Sequence, residues 1–370
     1  MEAEHYINTT ISTIITGTVD THENIICVGT SRDHATILIK LDQFLNELHQ
    51  YIIKRPCLIT KITTDIETDN IFVIGHILVI NQPFIMEFSP QLDYIGSINL
   101  PITGRLNDIT VADGPIICVG ETTATNGNTA GLLVRVDTIN DAPLIETFDH
   151  NDSNITFRLV ESDCSDTIAV IGLKFSETER LQILWRFVKD SSEYMTVALY
   201  DEPSVDIGLF NSIEMNHDDK FTCVGHALQC SDGKMYPRAS IFDTKNNTVK
   251  LTKSKQFVIL PPEHDRIDGV ISVPTFTATM SFQNGGYAFG GYIRNIQIGR
   301  PDKYYAVICF NDDNLDGNDL SVIAVNNVII NDAVLCKQGL VIFGKTYDDR
   351  ASEGIISTYT PDYLDENDLF

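Results

Sequence analysis

Three groups of side chains in this 370-residue sequence have types and spacings that invite a chemical reading. Asp312, Asn314 and Asp316, followed by Gly317, reproduce the opening of a calcium loop, in which oxygen ligands at alternate positions surround one hard cation. The bidentate carboxylate that closes such a loop at its twelfth position is missing, because that position is Ile323. The set stands as a calcium candidate against a plainer reading as a polar hairpin; no other cofactor is indicated. Gly339-Leu340-Val341-Ile342-Phe343-Gly344-Lys345-Thr346 matches a phosphate loop letter for letter. A working loop of that kind leaves a strand, wraps exposed amides round a phosphate and opens a helix. Here the four intervening residues are apolar, and Asp348, Asp349 and Gly354 follow with no helical face, so the segment reads as a strand ending in glycine.

The third group is basic and aromatic: Lys234, Tyr236, Arg238, Arg266, Tyr292, Arg294, Arg300, Lys303 and Tyr304. Residues 234–303 hold 10 of the 26 basic residues against five acids, a local charge of +5 in a chain of −25, which leaves −30 for the remainder. Guanidinium groups beside rigid phenols suit an acidic protein surface or another anion, while the plain alternative is a solvated outer strand with ordinary loop charges. Other reactive residues do not assemble. His76 and His226 each follow a glycine, but the corresponding positions elsewhere hold Thr30, Glu121, Leu173, Gly291 and Lys345, which share no metal or proton-transfer role. Eight cysteines form no C-x-x-C pair; Cys27, Cys118 and Cys223 all precede Val-Gly and read as small buried hydrophobes, reduced and unpaired. With no nucleophile, base and orienter in view, an enzyme is not expected.

The Cys-Val-Gly coincidence leads to the elements that carry these residues. Seven apolar runs end in a glycine: 24–29, 70–75, 115–120, 167–172, 220–225, 286–290 and 340–344. Their glycines are 46, 45, 52, 53, 65 and 54 residues apart, a mean of 52.5. A second β-rich run follows each glycine, and Asp42, Asp137, Asp243 and Asn311 sit just beyond four of these, where a short polar side chain bonds the next turn. Flanking runs bring each unit to four short strands, which is the arithmetic of a propeller blade. Isoleucine, valine, threonine and phenylalanine dominate, turn residues recur every eight to twelve positions, and no 3.6-residue stripe lasts three turns. The expectation is all-β: one seven-bladed β-propeller of four-stranded antiparallel blades.

The blades fall at about 10–53, 59–100, 105–150, 156–201, 208–260, 269–324 and 328–360 of a single domain. The last lacks a fourth strand, and residues 4–9 precede the first blade with no blade of their own; pairing the two closes the last blade and covers an open edge. Residues 361–370 are an acidic tail. Connections after the glycine lengthen from about seven residues in blade one (30–36) to 13 in blade five (226–238) and 14 in blade six (291–304), and the link 261–275 joins those two blades. Long loops in a tight repeat are commonly functional, so three of them are expected to meet on the basic sector.

Charge and hydropathy bound the partners. Fifty-one acidic residues against 26 basic ones repel nucleic-acid phosphates, and the longest apolar run, 71–80, is half of what a membrane-spanning helix needs. Neither nucleic-acid binding nor membrane insertion is expected, and the start of the chain shows no secretory signal, which points to cytosolic synthesis.

Ile25-Ile26-Cys27-Val28-Gly29, then Ile37-Leu38-Ile39-Lys40-Leu41-Asp42 and Asn46-Glu47-Leu48, resembles the repeats of bacterial and phage β-propellers. The likeness spans about residues 10–360, though blade four ends its second run in Val188-Lys189-Asp190 and blade six carries a long insert. The absent catalytic set, the long loops and the local charge together lead to the expectation of a non-enzymatic interaction or structural module docking protein partners through the basic sector, and the resemblance suggests a larger assembly such as a bacteriophage virion as its setting. A glycan-binding attachment propeller is the alternative, and a hydrolase with a central-channel site is the second.

Overall fold

In the computed structural model the described residues are 2–8, 10–111, 114–149, 153–162, 167–176, 180–188, 194–198, 205–216, 220–229, 234–243, 250–259, 271–281, 287–296, 303–311, 315, 325–336, 339–346 and 352–360. They form strands and turns only. After β1 (Glu2–Asn8), blade one comprises β2 (Ile11–Val19), β3 (Ile25–Ser31), β4 (Thr36–Leu41) and β5 (Glu47–Ile53). Blade two is β6 (Cys57–Thr64), β7 (Ile71–Ile77), β8 (Gln82–Phe88) and β9 (Tyr94–Asn99), and blade three is β10 (Gly104–Val111), β11 (Ile116–Thr123), β12 (Thr129–Val136) and β13 (Leu144–Phe148). Blade four is β14 (Asn154–Ser162), β15 (Thr167–Phe175), β16 (Arg180–Val188) and β17 (Tyr194–Ala198). Blade five is β18 (Val205–Asn216), β19 (Lys220–Gln229), β20 (Lys234–Asp243) and β21 (Lys250–Gln256), and blade six is β22 (Ile271–Ser281), β23 (Tyr287–Ile296), β24 (Lys303–Asn311) and β25 (Val325–Asn326). Blade seven holds β26 (Val328–Cys336), β27 (Gly339–Thr346) and β28 (Gly354–Thr360), with β1 as its outer strand. Each sheet is antiparallel and four-stranded, and the fold is a seven-bladed β-propeller.

The chain divides into two compact units, Ile15–Tyr200 and Met1–Ile14 with Asp201–Phe370. In each unit the apolar core is a series of layers between neighbouring sheets. In the first, Ile26, Val28 and Leu38 of blade one meet Ile71, Val73 and Phe84 of blade two, and Ile117, Val119 and Leu133 of blade three meet Phe157, Val170 and Trp185 of blade four. In the second, Val224, Ala239 and Ile241 of blade five pack on Phe276, Phe289 and Ile293 of blade six. The two middle strands are covered on both faces, so β4 is buried throughout, whereas the outer β5 is mostly exposed. That is why the legible signal is an unbroken apolar run and not an alternation.

The recurrent glycine has a structural cause. In blades two to seven the first strand carries a β-bulge, with Thr60, Asn107, Arg158, Asn211, Thr277 and Asn331 as the extra residues. Opposite the residue before each bulge stands Gly75, Gly120, Gly172, Gly225, Gly291 or Gly344, where a Cβ would overlap a backbone carbonyl oxygen of the first strand. Blade six corrects the sequence reading by one residue: Gly291 fills the slot, while a Cβ on Gly290 would meet only side-chain carbons at 3.7–3.8 Å. The bulged residue also joins neighbouring sheets. Thr60 Oγ1 donates to Leu106 O (2.8 Å) and Asn107 Nδ2 to Phe157 O (2.6 Å) in one unit. Asn211 Nδ2 donates to Phe276 O (2.8 Å), Thr277 Oγ1 to Ile330 O (3.0 Å) and Asn331 Nδ2 to Ile14 O (2.7 Å) in the other.

Candidate functional site

Blades five and six differ from the rest in height. Their first three strands stay paired well beyond the glycine slot: Val205 opposes Gln229, Gln229 opposes Lys234, Ile271 opposes Ile296 and Asn295 opposes Lys303. The segments 226–238 and 291–304, expected as loops, are therefore mostly strand, and only their tips lie outside the described residues. The outer strands do not follow. β21 pairs from Arg238 onward, and β25 reaches only Tyr305 and Ala306.

Strand alternation then sorts the basic and aromatic residues. Lys234, Tyr236 and Arg238 share one face of β20, on the side opposite to Ala239 and Ile241, which pack against blade six. Tyr292, Arg294 and Tyr304 share a face of blade six, because Arg294 opposes Tyr304 and Tyr292 opposes Ala306. That face is the one turned away from blade five, since Ile293 and Tyr305 pack toward it. Lys303, opposite Asn295, belongs to the other face. One expected sector thus becomes two separate surfaces.

Their chemistry differs. Arg238 is 6% exposed, its Nε donates to Ser254 Oγ (2.8 Å), and its guanidinium lies 5.7 Å from the Phe210 ring centroid, so it serves the interior of blade five. On blade six the Tyr292 and Tyr304 rings lie 6.0 Å apart at 55°, both half-buried beside an exposed Arg294. Arg266, Arg300 and the calcium candidates Asp312, Asn314 and Asp316 lie outside the described residues. Leu315 among them is described: it is buried and left-handed (φ 55°), as are Leu45 (φ 61°) and Leu92 (φ 63°) in the turns after β4 and β8.

Residues that follow the slot glycine meet the first strand of the next blade. His226 Nδ1 is 3.0 Å from Thr275 Oγ1. Glu121 Oε1 accepts from Arg105 Nε at 2.8 Å and its Oε2 from Thr156 Oγ1 at 2.7 Å, so both carboxylate oxygens are engaged. Burial, then the charge of Arg105, holds the His76 imidazole below its ordinary value. Arg105 escaped the sequence reading, because only the bulge register places it opposite Glu121. The phosphate-loop match is β27, paired on both sides, and Trp185 packs edge-on against Phe157 at 4.9 Å. The six described cysteines are buried thiols, and desolvation pushes the Cys27 thiol up to about 12. Among the described residues no group of three or more His, Cys, Asp or Glu is placed to hold a metal ion, and no helix is long and apolar enough to cross a membrane.

No protein-family profile and no curated protein matches the chain. Solved structures do. The β-propeller domain of the trilobed protease from Pyrococcus furiosus, described as having an open velcro topology, aligns with a TM-score of 0.54 and 10% identity over 96% of this chain and 99% of that one. The WD40 domain of Toxoplasma gondii coronin aligns at 0.54 and 9% over 100% and 90%. Hydrazine synthase of Kuenenia stuttgartiensis aligns at 0.60 and 10% over 96% and 98%. At such identities the likeness establishes the β-propeller fold alone.

Proposed function

We propose that this propeller is a non-enzymatic interaction module that docks an acidic protein surface on the raised part of blade six. The observation that carries the reading is the coincidence of Tyr292, Arg294 and Tyr304 on one face of a sheet extension along which β25 pairs only with Tyr305 and Ala306. Rigid phenols contribute contact area at small entropic cost, and the guanidinium of Arg294 on the same face suits carboxylates. The surrounding segment is +5 in a chain of −25, which favours an acidic partner there. Membership of a larger assembly, such as a phage virion, belongs to the same proposal and rests on the resemblance of the repeats alone. The tilted tyrosine pair supports a glycan as the second reading.

Deleting residues 291–304 would remove paired strand, so substitution is the sound test. Arg294→Glu with Tyr304→Ala is expected to abolish recovery of the specific partner in an affinity pull-down, with the melting temperature kept. Unchanged recovery of every partner would refute the surface, and saturable binding on a glycan array, lost in the same variant, would establish the second reading.

A further inference from the structure

The hairpin between β7 and β8 ends in three consecutive exposed aliphatic residues, Leu78, Val79 and Ile80, at 56, 81 and 53% exposure. Hairpin tips ordinarily carry glycine, asparagine or aspartate, and a run of exposed aliphatics does nothing for the folded state. This tip is not loose. Leu78 N donates to Pro56 O (3.3 Å) and Gly104 N to Asn81 O (2.9 Å), so the links before β6 and before β10 clamp it from either side. Beside it runs a shallow groove of about 660 Å³ lined by Ile80, Gln82, Ile102, Thr103, Thr122 and Thr123. Its polar side chains are held in place: Gln82 Nε2 donates to Leu100 O (2.9 Å) and Thr122 Oγ1 to Thr103 O (2.7 Å).

The charge of the same region departs from that of the chain. Segments 48–64, 71–86 and 94–107 contain no aspartate or glutamate but carry Lys54, Arg55, Lys61 and Arg105, in a protein of net charge −25. Arg55 is fixed, with its guanidinium 3.9 Å from the Phe84 ring centroid and its Nη1 donating to Asn99 Oδ1 (3.2 Å). Lys54 is exposed, whereas Arg105 is half-exposed and already paired with Glu121 at 2.8 Å.

We propose that this rim of blade two is a second docking surface, and that its occupant is an extended segment of a partner protein carrying aliphatic side chains next to a carboxylate. A preformed apolar tip beside a concave groove takes side chains at little ordering cost. Exposed Lys54, two residues before the Pro56 that holds the tip, selects an acidic residue beside it. A bilayer has no side chain to fill the groove, and the net charge of the chain opposes an anionic leaflet. A second copy would bring Lys54 and Arg55 against themselves across a two-fold axis. The surface rests on none of the blade-six residues, so the protein would hold two partners, or two parts of one.

Selection of a yeast-displayed random dodecapeptide library on the full chain tests this. Enriched peptides are expected to place an aliphatic residue within a few positions of Asp or Glu. Their affinity should fall at least about tenfold in Val79→Glu and in Lys54→Glu, a loss typical of a central contact, and stay unchanged in Arg294→Glu. Both altered residues are exposed, so melting temperatures should hold. Failure to enrich any peptide over the Val79→Glu control, or enrichment of peptides without acids, would overturn the proposal. So would flotation with phosphatidylserine vesicles that Val79→Glu abolishes, or a concentration-dependent dimer in light scattering that the same substitution removes.

Discussion

At Gly291 the missing side chain is a packing requirement: the bulge at Thr277 pulls the first strand inward until the Thr275 carbonyl fills the place of a Cβ. Gly290, one residue earlier, has room. Gly290→Ala is therefore expected to change unfolding free energy by less than about 1 kcal/mol, and Gly291→Ala to cost about 3 kcal/mol or more, because backbone must move. Urea denaturation of the pair decides it, and equal effects would place the slot wrongly. The composition of the run Tyr287-Ala-Phe-Gly-Gly cannot choose between the two glycines, since the choice lies in the hydrogen-bond register of another strand. Asp69 makes a second case. Burial raises its pKa, but hydrogen bonds from Thr21 Oγ1 (2.6 Å), Thr21 N (2.9 Å) and His22 Nδ1 (3.1 Å), with the His22 charge, outweigh it and leave the carboxyl below its ordinary value. A depressed folded pKa stabilises above the unfolded value of about 4 and loses that contribution as pH falls through the folded one. Denaturant midpoints between about pH 5 and 2 should thus fall less steeply in Asp69→Asn, which tolerates the left-handed φ of 56°, and parallel curves would exclude the effect.

Strands, turns and their extensions were unequally legible. The middle strands announce themselves because both faces are buried, as in Ile25–Val28 or Ile71–Ile74. Asp42 was legible as a turn residue: its carboxylate accepts from Phe44 N and Asn46 N at 2.8 Å each. The bulge donors were not, because Thr60 or Asn331 looks like any polar strand residue until the neighbouring sheet is in place. The tall strands of blade six read as loops because Tyr292, Arg294 and Tyr304 are polar, although Ile293, Asn295 and Tyr305 alternate with them as buried residues. The calcium candidates belong at this scale. Asp42-Gln-Phe-Leu45-Asn46, Ser89-Pro-Gln-Leu92-Asp93 and Asp312-Asp-Asn-Leu315-Asp316 align, and each places its leucine buried in the left-handed region. In the first of these the leading carboxylate serves backbone amides, so a turn is the favoured reading of the third. Millimolar calcium is then expected to leave the melting temperature unchanged. A saturable rise that Asp316→Ala removes would instead make the turn a metal site.

For the molecule as a whole, the informative contact is between its ends. β1 runs antiparallel to β28 from Glu2 opposite Thr360 to Asn8 opposite Gly354, supplying the outer strand that blade seven lacks in its own segment. The sequence points to this closure through a β-rich stretch before residue 10 that belongs to no repeat unit. It does not show the division into two compact units, which depends on how densely the sheets pack. Pairing segments some 350 residues apart in sequence carries a loop-closure cost that grows only logarithmically with length, so once the intervening sheets are formed the strand needs few contacts to stay. Removing residues 1–8 should leave β28 with an unpaired edge, lower the melting temperature by at least a few degrees and promote association through that edge. The peptide Glu-Ala-Glu-His-Tyr-Ile-Asn, added in trans, is expected to bind the truncated chain and restore its melting temperature. A scrambled peptide should not, since the register of seven residues has to match. Loss of stability without rescue would mean that β1 acts only while tethered, through its effective concentration, whereas an unaltered truncated chain would show that blade seven stands without it.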